Sequence, residues 1–220
     1  MIHARYRRDY DGEFVIADTI VANNTTIQRR EWIPNVIENH HTSRRAAAIA
    51  TDRDSKYFKH QRLARHRGGL LAQKRLQTYG TGSMWQDMRF DFFVATQPDL
   101  IQKLADSEYD HDTTVYTNAR HCLQYPGRFY PVPYLPNVHQ IALPIYLAAF
   151  DQHEEVFMLG YNADIDVGDP GWITDVNDVF QTYATTKFFL VTRQNTPGVW
   201  LDNANVKMMD YRRFVTYCDI

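Results

Sequence analysis

Apolar residues along this chain fall into short runs bounded by glycine, proline or polar turns, and the stretches between the runs carry helical spacing. The runs predict strands over 46–50, 75–79, 92–95, 114–116, 156–159, 188–191 and 206–209, with 156–159 the most continuously apolar. The intervening stretches predict helices over 98–105, with Pro98 in the first turn, and over 140–150 and 172–183. A further helix is expected from near Lys56 to the Gly68-Gly69 pair, and Ser83 is expected to cap a short turn through Met88. Strands and helices alternating at this spacing predict an α/β domain, a mostly parallel sheet with helices on both faces.

The stretch RRAAAIATDRDSKYF, residues 44–58, organises the rest. It reads as a strand, a polar turn over 51–55, and a helix start that Asp54 or Ser55 can cap. In wound α/β domains ligands bind at the carboxyl ends of the strands, beside helix N-termini. Five groups fall just after predicted strands or in the crossing loop: Thr51–Ser55, Gly80–Gly82, Arg120, His139 and Asn162. The candidate binding residues are therefore Thr51, Asp52, Arg53, Ser55, Gly80, Thr81, Gly82, Arg120 and Asn162. The proline-rich segment 125–138, YPGRFYPVPYLPNV, is expected as an extended loop crossing the strand ends. Upstream, EFVIADTIVANNTTIQRREWIP reads as two strands around an Asn23-Asn24 turn. The chain thus divides into an N-terminal hairpin or arm, 1–38, and one α/β domain, 39–220. The joint NHHTS places His40 and His41 side by side, where adjacent side chains diverge and do not chelate.

Composition narrows the classes. At 220 residues and 44% hydrophobic the chain is long enough for one real core. No apolar run approaches the ~20 residues of a membrane span, and the N-terminal residues hold no secretory h-region. Two isolated cysteines, Cys122 and Cys218, argue against a disulfide framework or a zinc site. The expected setting is therefore reducing and not secreted. The net charge of −2 hides a split: residues 1–80 carry 15 Lys/Arg against 8 Asp/Glu, and residues 81–220 carry 9 against 18. Such a split suits an anionic partner at the basic end, or attraction between the two halves or between copies. Lys56, Lys59, Arg62, Arg65 and Arg67 form the basic stripe of the expected helix.

Four patches, spanning roughly 45–210 in order, resemble small Rossmann-like proteins of phages and bacteria related to the sialyltransferase-like glycosyltransferases. AAAIATDRDSKYF occupies the place of that group's Gly-Asn-Gly-Pro-Ser turn, keeping Ser55. TYGTGSMWQDMRFDFFVATQPDLI keeps Gly80, with Thr81-Gly82 for Cys-Asn and Gln97 at an aspartate position. VHQIALPIYLAAFDQHEEVFMLGYN keeps Glu155 and Gly160, with Val138-His139 near a Ser-Gly position and Asn162 for aspartate. DPGWITDVNDVFQTYATTKFFLVTRQNTPGVW resembles the phage-type C-terminal end, Asp-Pro-Ser-Tyr-Trp followed by a helix and a strand.

The resemblance implies a sugar-nucleotide-binding frame whose turns are degenerate here, since Thr51-Asp52 adds bulk and negative charge where a phosphate would approach. Sugar transfer needs a base and a stabiliser of the leaving phosphate. His139 is the candidate base, and His153, in the turn DQHEE, is expected at the surface. Arg53, Arg120 and His121 are candidate phosphate partners, and Asp164, Asp166 and Asp169 make only a superficial calcium loop, so no metal is assigned. No serine sits on a nucleophile elbow. The leading expectation is a non-catalytic interaction or virion-associated phage module with no cofactor. It would act in an infected cell's cytoplasm or in the virion, on phage or host proteins or further copies of itself. The alternatives are an active glycosyltransferase-like enzyme using a sugar nucleotide, and a nucleotide or nucleic-acid binder working through the basic 53–75 segment.

Overall fold

The computed structural model describes residues 11–22, 25–36, 43–51, 56–64, 76–133, 138–162, 170–193 and 196–220, the first two segments by their backbone. The N-terminal hairpin is present: β1 (Asp11–Ala22) pairs antiparallel with β2 (Thr25–Val36) as a two-stranded sheet of its own. The Asn23-Asn24 turn expected between them lies outside the described residues.

The remaining strands are β3 (Arg45–Ile49), β4 (Gln77–Thr81), β5 (Phe92–Val94), β6 (Thr114–Thr117), β7 (Tyr130–Pro131), β8 (Glu155–Leu159), β9 (Lys187–Val191) and β10 (Val206–Met209). They form one sheet in the order β10-β9-β8-β3-β4-β5-β6-β7, and every neighbouring pair is parallel. With helices on both faces this is a Rossmann-like, doubly wound α/β fold. The chain winds outward from β3 to β7, returns, and winds the other way from β8 to β10. The direction reverses between β3 and β8.

Fully buried sheets favour apolar runs over alternation. Ala46 and Ala48 of β3 face one core with Ala50, and Ala47 and Ile49 face the other. The alanines leave room above the sheet for α4 (Leu143–Phe150), whose eight residues are all buried. Beside α4 lies α5 (Gly171–Thr182), which buries Trp172, Val176, Val179 and Phe180 at helical spacing. The other core holds α2 (Pro98–Asp106) and α7 (Tyr211–Cys218). Asp210 caps α7 by accepting from the Arg213 amide at 2.9 Å. Below the switch the two strands are latched together: Arg45 Nε donates to Glu155 Oε2 at 2.8 Å, and Tyr217 donates to Glu155 Oε1 at 2.7 Å.

Several elements differ from expectation for identifiable reasons. Residues 56 and 57 form a turn, and the helix there, α1 (Gln61–Ala64), begins only at Gln61. The second sheet strand runs two residues later than expected, because Gly80 is a strand residue and not the turn after it. Ser83 caps nothing: the turn is a 3-10 helix, Gly82–Gln86, whose N-cap position is Thr81. Within the proline-rich crossing segment, Tyr130–Pro131 joins the sheet at its edge, where a residue without an N–H is tolerated. The short α3 (Ala119–Gln124) follows β6, and α6 (Gly198–Leu201) precedes β10.

Candidate functional site

The crevice of a doubly wound sheet opens where the chain leaving one central strand parts from the chain leaving its neighbour. Here the two chains run on together. Ala50 N donates to Leu159 O at 3.1 Å, and Thr51 Oγ1 donates to Gly160 O at 3.2 Å. Gly160 has φ +74°, and a Cβ added to it would lie 2.5 Å from Thr51 O and 2.9 Å from Thr51 N. Only glycine allows that approach. Two residues on, Asn162 is fully buried and accepts from Thr192 Oγ1 at 2.7 Å, which ties the end of β8 to the end of β9. Thr51 and Asn162 are therefore at the predicted crevice, with their polar groups turned onto protein.

The other predicted residues are dispersed. Gly80 lies inside β4, and a Cβ there would sit 2.6 Å from the Phe90 ring, so its role is packing. Thr81 is buried and donates to Val94 O at 2.8 Å. Gly82 starts the 3-10 helix at φ +66°, with Ala50 O 3.8 Å from its would-be Cβ. Arg120 is exposed on α3, after β6, three strand spacings or about 14 Å from β3. Its neighbour His121 is buried against Thr117 Oγ1 at 3.1 Å, and burial, then the Arg120 charge, lowers its pKa. Asp52, Arg53, Asp54 and Ser55 lie outside the described residues, as do Asp164, Asp166, Asp169 and 65–75 of the basic segment. Among the described residues no cluster of three His, Cys, Asp or Glu side chains is placed to hold a metal. No described helix is long and apolar enough to cross a membrane.

His139 does stand at the carboxyl edge, half-buried just ahead of α4. Its backbone N–H donates to Asp175 Oδ2 at 2.6 Å, and its ring Nδ1 accepts from the Ile141 amide at 3.3 Å. Gln140 beside it accepts from both the amide and the hydroxyl of Thr96, after β5, at 3.2 and 3.0 Å. The neutral ring therefore carries its proton on Nε2. A base needs an unprotonated nitrogen facing its substrate, and Asp175 grips the backbone rather than orienting the ring. The pair is built to fix the loop.

His153 is the residue that sequence reasoning misplaced. Expected at the surface, it is 1% exposed under the amino end of the sheet. Its Nδ1 is 3.0 Å from Ser43 O, and its Nε2 is 3.0 Å from the Tyr79 hydroxyl, which lies 2.6 Å from Asp151 Oδ2. A carbonyl only accepts, so Nδ1 carries a proton. The phenol thus links the imidazole to the carboxylate, and the three polar groups meet one another inside the core. The groups its ring meets, Ser43 and Tyr79, lie 110 and 74 residues away, so the turn DQHEE does not announce them.

No family model, curated protein or solved structure matches this chain. Its class rests on the sheet: a Rossmann-like α/β protein whose switch point is closed by its own backbone as far as Thr51 and Gly160.

Proposed function

We propose that this chain is a non-catalytic interaction module on a Rossmann-like frame, of the degenerate phage type it resembles, working on protein partners in an infected cell or a virion. The observation that carries the reading is the approach of Thr51 to Gly160, which keeps the chains leaving β3 and β8 together where the crevice of the wound sheet would begin. The proton placement on His139 adds support, since its free nitrogen is a donor. The hairpin supplies the means of contact: a two-stranded sheet with two open edges is marginal alone and gains by pairing with a partner strand. The test is thermal melting with cytidine and uridine nucleotides and their sugar conjugates at millimolar concentration. No shift that depends on His139 is expected. Binding at one hundred times Kd would add about 2.7 kcal/mol. Such a shift, lost in His139→Ala, would overturn the proposal in favour of a glycosyltransferase-like enzyme. A chain beginning at residue 39 should keep its fold and lose its association with partners or copies.

A further inference from the structure

A groove of about 580 Å³ opens at the carboxyl ends of β9 and β10, beside the closed switch point. Its floor is a run of rings. Phe58 stacks on Tyr211 at 5.9 Å and 15°, and Tyr57 stacks on Tyr211 at 6.3 Å and 24°. Phe58 and Tyr211 are each 3% exposed, whereas Tyr57 is 41% exposed, so the run ends in a ring that meets solvent. Around it stand cations. Lys56 Nζ is 4.8 Å and Arg193 Cζ 5.6 Å from the centre of the Tyr57 ring, and Arg212 lines the same groove. Arg62 also lines it and donates to the main-chain oxygen of Ile220 at 3.1 Å.

Asp210, at the start of the helix that carries Tyr211 and Arg212, is already engaged. The Arg213 amide, followed by the Arg212 amide and the Arg193 and Arg212 charges, draws its pKa down. Among the described residues Lys56, Arg193 and Arg212 make no ion pair within 4.0 Å. Three exposed cations around an exposed ring are therefore left to an outside partner.

We propose that this groove binds single-stranded nucleic acid, with a base continuing the stack on Tyr57 and the backbone phosphates taken by Lys56, Arg193 and Arg212. Cations alone would suit any polyanion. The exposed ring selects one with flat aromatic groups, and stacking needs bases released from a duplex. The inference goes beyond the protein-interaction reading and is independent of it, since the groove lies outside the switch point and the hairpin.

The test is fluorescence anisotropy of a labelled single-stranded oligonucleotide with the full chain over a salt series. Three phosphate contacts predict log K falling with log salt at a slope of about −2. Tyr57→Ala should weaken binding about tenfold, and Tyr57→Trp should restore it. Arg193→Ala with Arg212→Ala should flatten the slope to about −0.7. Several results would each overturn the proposal: no binding at low salt, Tyr57→Ala binding like the parent, equal affinity for a duplex, or equal competition by polyglutamate. A nucleotide shift that survives His139→Ala and is lost in Tyr57→Ala belongs to this groove, and one lost in His139→Ala belongs to the crevice, so the two readings fail separately.

Discussion

The two edges of the sheet solve opposite problems. At the carboxyl edge, where the wound topology provides a crevice, the chains leaving β3 and β8 stay together as far as they are described: Thr51 lies against Gly160, and Asn162 is tied to Thr192. At the amino edge, where the topology provides nothing, the chain buries a phenol, a carboxylate and an imidazole in one hydrogen-bonded cluster and latches β3 to β8 through Arg45, Glu155 and Tyr217. The first edge spends its polar groups on closure and the second on a buried core. Topology says where a site is possible. Whether one exists depends on which polar groups remain, and among the described residues the cations beside Tyr57 are one such set.

The contrast is most exposed at Gly160. Gly160→Ala forces a side chain into positive φ and against the Thr51 backbone, and should cost about 4 kcal/mol in urea unfolding. A loss below about 1 kcal/mol would mean the two chains part readily, and the closed-crevice description would fail. At the opposite edge, Tyr79→Phe removes the hydroxyl that joins Asp151 to His153 and should cost about 2 kcal/mol. A neutral result there would make the cluster a packing accident.

The thiols compare the edges directly. Cys218 belongs to α7, which latches the amino edge, and Cys122 to α3 beyond the carboxyl edge, and burial pushes each up to about 12. Both should resist alkylation at pH 8 in the native state, and whichever reacts first names the edge that opens first. The folded state holds these protons above the ordinary value of 9.0, so the unfolded chain releases them first. Stability is unaffected below pH 9 and falls as pH rises from there towards 12, and denaturation midpoints across that range should show it.

The smallest effect belongs to His121. Burial lowers its pKa from 6.5, so the unfolded chain takes up a proton before the folded one. Its contribution is present above pH 6.5 and is lost as pH falls through the folded value. His121→Gln should flatten the acid limb of the stability curve, and an unchanged limb would remove the histidine from the carboxyl edge's balance.

Strands were legible because short apolar runs between turn residues have few other uses in an α/β chain. The exception in register, β4, turns on Gly80, which reads locally as a turn and is in fact held open by the Phe90 ring. α7 carried readable signals, the Asp210 cap and the spacing of Tyr211, Phe214 and Cys218. The candidate site was legible as a place and not as a state. Thr51 and Gly160 are 109 residues apart, and nothing near either one announces the other. His153 was misread for the same reason.

The order of the strands also sets a schedule for a chain made from its N-terminus. β3 to β7 follow one another in sequence, so half the sheet can assemble as it emerges. The free side of β3 must wait for β8, whose first residue lies 110 positions after that of β3. At ordinary synthesis rates that is about 5–20 s of an apolar strand with one bare edge. During that interval the nascent chain is open to pairing with a neighbouring copy of itself, and the arrival of Glu155–Leu159 ends the exposure.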